Sequence, residues 1–149
     1  MTTTQPRDLH GLKALVTGAT SGLGRAVALQ LARDGADVTV HGRDATRGVQ
    51  TVEEIQSQGG SARYVGTDLG DAAGIARFAK EVGDVDILVN NAGFSVWGPT
   101  ETFALASFDA MFAANVRAPF LLVAAFAPAW WRVRRGASST SAAWPVASV

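Results

Sequence analysis

A glycine-rich turn near the N-terminus is the clearest sign of chemistry in this sequence. Gly18, Gly22 and Gly24 stand between a short apolar run and a longer amphipathic one. Gly18 permits a tight turn, Gly22 lets a pyrophosphate approach the backbone, and Gly24 lets the following helix pack closely on its strand. Free N–H groups at the start of that helix, together with its dipole, favour phosphate oxygens. The turn predicts a dinucleotide phosphate site, although a glycine trio alone also fits an ordinary turn.

The elements that must position this turn alternate between apolar and amphipathic segments. Strands are predicted at Leu12–Thr17, Asp37–His41, Ala62–Gly66 and Val85–Asn90. Helices are predicted at 22–34, at 45–58, after the cap Asp71, and from about 107 to 131. Their periodicity points inward Leu23, Val27, Leu31, Val49, Val52, Ile55, Ile75, Phe78 and Val82. This alternation implies right-handed crossovers and a parallel sheet, hence an α/β fold of the doubly wound Rossmann type with four predicted strands.

Composition removes several classes of function. Thirteen basic and thirteen acidic side chains cancel, so no basic field is available to attract nucleic acid or anionic lipid. The chain has no cysteine and two histidines, which excludes a disulfide scaffold and leaves too few ligands for a thiolate or histidine metal site. The polar N-terminus is no signal peptide, and the apolar stretch Ala118–Trp131 falls short of the roughly 20 residues that span a bilayer. We therefore expect a soluble, cytoplasmic protein without membrane or nucleic-acid partners.

Four motifs in the right order resemble one family. TGATSGLG, residues 17–24, looks like the TGxxxGxG loop of the short-chain dehydrogenases/reductases. Asp68-Leu69 after the third strand, Asn-Asn-Ala-Gly at 90–93 after the fourth, and Asn115 match the family's later motifs. The resemblance covers roughly Leu9 to Pro128. It implies these cofactor-binding residues: Gly18, Thr20, Ser21, Gly22, Leu23, Gly24, Arg43, Asp68, Leu69, Asn91, Ala92 and Gly93.

The resemblance also implies individual roles. Asp68 is expected to contact adenine, unless it only caps the end of a strand. Asn90 is as well suited to holding the sheet centre as to contacting a ligand, whereas Asn91, Ala92 and Gly93 are expected on the ribose side of the cofactor. Asn115, the one catalytic residue of the family found here, is expected to hold a proton-relay water with its backbone carbonyl. The implied reaction is hydride transfer between NADP(H) and an alcohol or carbonyl substrate.

The choice between the two dinucleotides depends on the end of the second strand. A carboxylate there would hydrogen-bond the adenosine ribose hydroxyls and repel a 2′-phosphate. Here the corresponding position is Gly42, and Arg43 follows it. A guanidinium suits a phosphate by charge and by fork geometry, and Arg25 and Arg47 could add positive potential. We expect NADP(H) in preference to NAD(H), unless Arg43 merely faces solvent.

The catalytic pair that the family requires is missing from this sequence. In the family, a tyrosine acts as general acid or base, a lysine four residues later lowers its pKa, and an upstream serine positions the substrate oxygen. Here the one tyrosine, Tyr64, is followed four residues later by Asp68, and both lysines, Lys13 and Lys80, precede the fourth strand. The chain is therefore either part of an oxidoreductase or a non-catalytic dinucleotide-binding fragment. A regulatory dinucleotide sensor would need a partner surface that the tail does not offer.

The last twenty residues differ from the rest. No acidic residue follows Asp109, and three of the four tryptophans fall after residue 129. We assign residues 1–131 to a partial dinucleotide-binding domain and 132–149 to an irregular tail. Shifted by two bases, codons permitted for Ala137–Val149 read Ile-Val-Asn-Val-Ser-Ser-Met-Ala-Gly-Ser-Val-Gly, a close likeness of the family's fifth strand and serine motif. We therefore hypothesise a frameshift or truncation near residues 127–131.

Such a tail has consequences for stability. Without a fifth strand, the fourth would present an unpaired apolar edge, which is an aggregation template. The missing helices would also leave parts of Phe112, Phe120 and Phe126 uncovered. We expect an associating chain. The Asn115 helix resembles one that pairs between subunits in the family, so a homo-oligomer is one form that association could take, although the sequence does not determine the oligomeric state.

Overall fold

The computed structural model describes residues 8–136 and 146–148. Five parallel strands form its sheet: β1 (Lys13–Val16), β2 (Asp37–His41), β3 (Ser61–Val65), β4 (Ile87–Asn90) and β5 (Val146–Ser148). Their order across the sheet is β3-β2-β1-β4-β5. The chain therefore returns from β3, at one edge, to place β4 on the other side of β1. The predicted α/β class with a Rossmann-type parallel sheet is confirmed.

The helices that connect the strands begin and end close to their predicted limits. They are α1 (Gly22–Arg33), α2 (Ala45–Ser57), α3 (Ala72–Val82), α4 (Leu105–Phe112) and α5 (Ala118–Gly136). A single 3₁₀ turn precedes α4, and a π-helical turn over Ala113–Arg117 joins α4 to α5. The Asp71 side chain accepts a hydrogen bond from the Ala73 N–H and starts α3, as predicted.

Two apolar clusters lie on opposite faces of the sheet. On one face, Ala28 and Ala32 of α1 and Ile55 of α2 pack against β1 and β2. On the other face, Phe78 and Val82 of α3 pack together with residues of α5. The result is three layers, with helices on both sides of a buried parallel sheet.

The predicted inward faces of α1 and α2 are wrong at two positions. Leu23 is 55% exposed and Val49 is 46% exposed. The residues buried in their place are small: Gly24 and Ala28 in α1, and Gly48 in α2. Close approach of these helices to the sheet requires small side chains, so periodicity of large apolar residues alone gave the wrong face.

The prediction that the tail supplies no strand is wrong for residues 146–148. β5 pairs in parallel with β4, with Val146 opposite Leu88 and Ser148 opposite Asn90. The edge of β4 is therefore paired at these positions, and the aggregation argument that depends on its exposure fails. In addition, α5 continues to Gly136, past the predicted domain end at residue 131. The rest of the predicted tail, 137–145 and 149, lies outside the described residues.

The long helical segment after β4 has one buried and one exposed apolar face. Ala118, Leu122 and Phe126 are buried in the same apolar cluster as Phe78 and Val82 of α3. The expectation that Phe126 is uncovered is therefore wrong. Phe112 and Phe120 are exposed, as expected. Because the π turn joins α4 to α5, residues 105–131 form one helical stretch whose length and apolarity would suffice to cross a membrane. The argument that the apolar run is too short to span a bilayer is therefore wrong. A helix that packs one face on the protein core passes the same test of length and apolarity.

Candidate functional site

A cleft of about 1160 Å³ opens at the carboxyl ends of the strands. Doubly wound sheets bind ligands at this place, because the connection after β1 leads to β2 on one side and the connection after β4 leads to β5 on the other side. Nine of the twelve predicted cofactor-binding residues line the cleft: Gly18, Thr20, Ser21, Arg43, Asp68, Leu69, Asn91, Ala92 and Gly93. Gly22, Leu23 and Gly24 belong to the same turn but do not line the cleft.

Two glycines of the turn between β1 and α1 pack tightly against the protein. Gly18 has a φ of +66°, and a Cβ atom there would lie 2.9 Å from the Ala92 Cα. A Cβ atom on Gly24 would overlap the Asn91 amide nitrogen and the Gly18 carbonyl oxygen. Gly22 is different, since it has a φ of +54° and no atom would lie within 4 Å of its Cβ. The backbone at Gly22 is thus open, and approach of a pyrophosphate to it stays a prediction.

Thr17 joins the glycine turn to the end of β4, a role that the sequence did not reveal. Its buried hydroxyl accepts hydrogen bonds from the N–H groups of Asn91 and Ala92, both at 3.0 Å, and donates to the Val89 carbonyl. In return, the Asn91 side-chain amide donates to the Thr17 and Gly18 carbonyls at 3.0 and 3.2 Å. The Asn91 side-chain amide therefore holds the turn. Asn91 also lines the cleft, so it can contact a ligand there.

Within residues 8–136, no side chain caps the start of α1. Ser21 is at the N-cap with extended backbone, its hydroxyl makes no capping bond, and the first turn contains no acidic residue. Backbone N–H groups at such a position have no helical partner and carry the positive end of the helix dipole. With an open approach at Gly22, this arrangement fits the phosphates of a dinucleotide.

The three predicted arginines differ in what they can offer. Arg25 is hydrogen-bonded and ion-paired to Glu54, and Arg47 forms an ion pair with Asp44 at 2.7 Å. The prediction that Arg25 and Arg47 add positive potential to the cleft is therefore wrong, because each charge is paired with a carboxylate. Arg43 is exposed on the cleft wall and, within residues 8–136, has no ion pair or side-chain hydrogen bond. It is the arginine of this wall whose guanidinium is available to a phosphate.

Position 42 must be glycine in this structure. A Cβ atom there would overlap the Thr20 methyl group and lie 2.9 Å from its hydroxyl oxygen. A carboxylate that binds ribose hydroxyls cannot be added at Gly42 unless Thr20 moves. The packing at Gly42 and the charge of Arg43 therefore both favour a 2′-phosphate over free ribose hydroxyls.

Asp68 and Leu69 lie in the loop after β3, on the opposite wall of the cleft. The Asp68 carboxylate accepts a hydrogen bond from the Gly70 N–H at 2.8 Å, which stabilises the local turn. This is the kind of local role that was the alternative to adenine contact. Leu69 is buried, with only an edge on the cleft. Adenine contact by Asp68 stays a prediction.

Tyr64 is a structural residue in this fold. Its hydroxyl donates a hydrogen bond to the Gly42 carbonyl at 2.7 Å, and its ring lies against Gly48 of α2. Desolvation raises the pKa of Tyr64, and the nearby Asp44 charge acts in the same direction. A catalytic tyrosine needs the opposite shift, so the geometry agrees with its having no family role.

Asn115 lies beside a smaller cavity of about 490 Å³ and not in the main cleft. The cavity is lined in part by residues 90–93, so Asn115 is near the Asn-Asn-Ala-Gly motif. Its side-chain amide bonds the Phe94 backbone twice, donating to the carbonyl at 2.8 Å and accepting from the N–H at 3.0 Å. The Asn90 Oδ1 atom, on the wall of the same cavity, is buried without a hydrogen-bond partner among the described residues. The relay role of the Asn115 carbonyl stays a prediction.

Comparisons with known proteins agree with this architecture. The model of the short chain dehydrogenase family matches residues 12–140. An uncharacterized oxidoreductase of Thermotoga maritima is 40% identical over 117 residues, which are 77% of this chain and 47% of that protein. The chain spans about half the length of the curated relatives it matches.

Solved structures give the same result. A metagenomic short-chain oxidoreductase in complex with NADP is 41% identical with a TM-score of 0.83, over 85% of this chain and 60% of that one. A blue fluorescent protein from a metagenomic library, in complex with NADPH, is 33% identical with a TM-score of 0.76, over 82% of this chain and 52% of that one. The sheet order, the turn after β1 and the matched residues together lead to one conclusion: this chain belongs to the short chain dehydrogenase family.

Proposed function

We propose that this chain binds NADP(H) in the cleft at the carboxyl ends of its strands. The observation that carries the proposal is the start of α1, which has no side-chain cap, beside the open backbone at Gly22, together with Arg43, which lines the same cleft and has no ion pair within residues 8–136. Together they offer two separate places for negative charge, which a dinucleotide with a pyrophosphate and a 2′-phosphate requires. In a complete oxidoreductase of this family, the bound nicotinamide would supply or accept the hydride.

The residues divide the cofactor between them. The N–H groups at the start of α1 hold the pyrophosphate, and the Arg43 guanidinium holds the 2′-phosphate. Asp68 and Leu69 face the adenine end, and residues 91–93 face the ribose next to the nicotinamide. Two solved relatives have NADP or NADPH bound, which supports the choice of the phosphorylated dinucleotide.

The activity of the longer protein is a separate proposal. Membership of the family makes an NADP(H)-dependent oxidoreductase acting on an alcohol or carbonyl its expected function. For the 149 residues themselves we propose dinucleotide binding without turnover. Tyr64 is bonded to Gly42 and has a raised pKa, and no lysine follows the fourth strand, so the proton-transfer pair is not available. Incubation with NADPH and a panel of carbonyl compounds should give no oxidation of NADPH above background.

The tail can be tested without any protein. The nucleotides downstream of the Ala129 codon show whether another frame encodes the fifth-strand and serine motif. If they do, residues 1–131 are the in-frame part of the domain and the frame-corrected protein should turn over a carbonyl substrate. If no frame encodes that motif, the frameshift hypothesis is wrong.

Cofactor preference is tested at Arg43. In Arg43→Ala we expect NADPH binding to weaken by about 1.5–3 kcal/mol, the range for hydrogen bonds to charged groups, while NADH binding changes little. Fluorescence titration with each dinucleotide measures both. The matched control is Arg33→Ala, which removes the same charge from an exposed arginine in the last turn of α1, outside the cleft.

Three outcomes decide the proposal. Selective loss of NADPH affinity in Arg43→Ala, with none in Arg33→Ala, supports it. Equal loss for both dinucleotides in Arg43→Ala contradicts the assignment of the 2′-phosphate to Arg43. Absence of binding to the unmodified chain contradicts dinucleotide binding itself.

A further inference from the structure

His41, the last residue of β2, is hydrogen-bonded to two different loops of the cleft. Its side chain is 2% exposed and lines the cleft floor. The Nδ1 atom lies 3.4 Å from the Gly18 N–H nitrogen, and the Nε2 atom lies 3.1 Å from the Thr67 carbonyl oxygen. The His41 backbone carbonyl also accepts a hydrogen bond from the Ala19 N–H at 2.8 Å. The residue therefore contacts both the glycine turn and the loop that carries Asp68.

The partners determine the protonation state of the ring. A carbonyl oxygen only accepts, so Nε2 must carry the proton toward Thr67. A backbone N–H only donates, so Nδ1 must present its lone pair to Gly18. A neutral imidazole satisfies both partners, whereas a protonated ring would direct a second N–H at the N–H of Gly18. Burial lowers the pKa of His41 and keeps the ring neutral, although its bond to Thr67 acts in the opposite direction.

The position of these partners connects the ring to ligand binding. Gly18 begins the turn that leads to the open start of α1, and Thr67 directly precedes Asp68 and Leu69 on the opposite wall. Within residues 8–136, His41 is the residue whose side chain bonds both of these loops. Its ring is held from behind by an edge-to-face contact with Phe78, with centroids 5.0 Å apart.

We propose that His41 is a positioning residue for the dinucleotide cleft, whose neutral ring holds the glycine turn and the Thr67–Leu69 loop at a fixed separation. The inference rests on the proposed function, because the separation matters only if one ligand spans both walls. Protonation breaks the bond to Gly18, so the cleft loses affinity as the pH falls through the pKa of His41. The charged groups that line the cleft with it are Arg43, Asp44, Arg47, Asp68 and Asp71.

Substitution of His41 by glutamine and by phenylalanine separates hydrogen bonding from packing. His41→Gln retains one acceptor and one donor and cannot take up a proton. His41→Phe retains the aromatic contact and loses both bonds. Calorimetric titration of the full chain with NADP⁺ from pH 8 to pH 4.5 measures affinity in each variant. His10→Gln is the control, since it removes the only other histidine and that residue is exposed.

The ratio of the NADP⁺ affinities of the unmodified chain and His41→Gln at pH 8 is the reference for the titration. As the pH falls, the ratio of their affinities should decrease by about tenfold, the effect of losing one or two hydrogen bonds. The 2′-phosphate titrates equally in both measurements, so their ratio isolates the ring. His41→Phe should bind about tenfold more weakly throughout, and His10→Gln should follow the unmodified chain. A ratio that stays constant while the His41 ring itself titrates, or full affinity in His41→Phe, would overturn the proposal.

A second measurement does not need the cofactor. In ¹⁵N-labelled chain without ligand, the amide resonance of Gly18 should shift with the same pKa as the His41 ring, and should stay constant in His41→Gln. A Gly18 resonance that ignores the titration of His41 overturns the positioning role even if NADP⁺ binds. Absence of NADP⁺ binding with a coupled Gly18 resonance would instead contradict the proposed function and leave the contact between His41 and the turn supported.

Discussion

The starts of α1 and α3 occupy equivalent places after two parallel strands, yet their backbones are satisfied in opposite ways. At α3, the Asp71 carboxylate accepts the Ala73 N–H at 3.0 Å and also pairs with Arg77. At α1, Ser21 makes no capping bond and no acidic residue stands in the first turn. The start of α3 thus has a negative charge of its own, the Asp71 carboxylate, whereas the N–H groups at the start of α1 are left for an anion or for solvent.

The difference extends to the backbone before each helix. The turn that leads into α1 contains two glycines with positive φ, and hydrogen bonds between Thr17 and Asn91 join it to the end of β4. The loop before α3 contains Gly70, whose N–H is already taken by the Asp68 carboxylate. A capped helix start contributes to stability by itself, whereas an open one contributes when an anion binds. We therefore expect the start of α1 to serve ligand binding and the start of α3 to serve folding stability.

The largest expected effect is that of Gly24→Ala, which would break the packing of the α1 start. The new methyl group overlaps the Asn91 side chain and the Gly18 carbonyl. We expect a loss of about 3 kcal/mol of unfolding free energy, in the upper part of the range for overpacked sites, and no measurable NADPH binding. Urea unfolding and fluorescence titration measure the two effects.

Gly22→Ala is the matched variant in the same turn. Its methyl group meets no protein atom within 4 Å, so only the positive φ opposes it, at a cost of about 1–2 kcal/mol. Most of its effect should be on NADPH affinity. Equal stability of the two variants would contradict the packing described at Gly24.

Next in size is Ser21→Asp, which gives α1 the kind of cap that α2 and α3 have. A carboxylate at the positive end of the helix should stabilise the unliganded chain by about 0.3–1 kcal/mol. The same charge would repel the pyrophosphate, so we expect NADPH binding to weaken at least tenfold while NADPH-free stability increases. Thermal unfolding with and without NADPH measures both.

Ser21→Ala is the control for this change. Because the Ser21 hydroxyl makes no cap, its removal should leave stability within about 0.5 kcal/mol. If Ser21→Asp lowered stability, or left NADPH affinity unchanged, the start of α1 would not be an open anion site.

Asp71→Ala tests the other side of the comparison. Loss of an N-cap costs about 1 kcal/mol, and the exposed pair with Arg77 adds little. We expect unfolding free energy to decrease by about that amount while NADPH affinity changes less than threefold. A large loss of affinity with unchanged stability would show that α3, and not only α1, serves the ligand.

The smallest effect concerns the cap of α2. Hydrogen bonds from the Arg47 backbone N–H and guanidinium lower the pKa of Asp44. Its contribution to stability is therefore present above the ordinary aspartate value of about 3.9 and is lost as the pH falls through the lowered pKa. Asp44→Asn keeps a capping side chain that does not titrate. The difference in urea midpoint between the two chains should shrink between pH 5 and pH 2.5, and a constant difference would contradict the assignment.

Features that depend on adjacent residues could be predicted. The spacing of Gly18, Gly22 and Gly24 indicates a phosphate-binding turn because each glycine answers a local steric requirement. The alternation of apolar and amphipathic segments predicts a parallel sheet, and Asp71 before an apolar-periodic run predicts a helix start. Nine predicted residues line one cleft because strand ends in a parallel sheet meet at one edge.

Features that depend on distant partners could not be predicted. Arg25 and Arg43 are chemically alike, and only the fold shows that Arg25 has an acidic partner, Glu54, which is 29 residues away in sequence. The inward face of α1 was misplaced because apolar periodicity favours large residues such as Leu23, and it does not show how closely Asn91, from the end of a distant strand, packs against Gly24. The strand Val146–Ser148 was missed because small and polar residues carry little strand signal of their own.

What the sequence by itself determined is the set of local preferences: where strands and helices begin, which backbone positions must be glycine, and which side chains are absent. Those preferences act between neighbours, so they can be identified without knowing the fold. Only the tertiary structure decided that Thr17 and Asn91 hold the turn, that Arg43 has no ion pair within residues 8–136, and that His41 joins two loops. Each of these depends on atoms that are more than twenty residues apart in sequence meeting within hydrogen-bond distance or failing to, which is a property of the packed sheet.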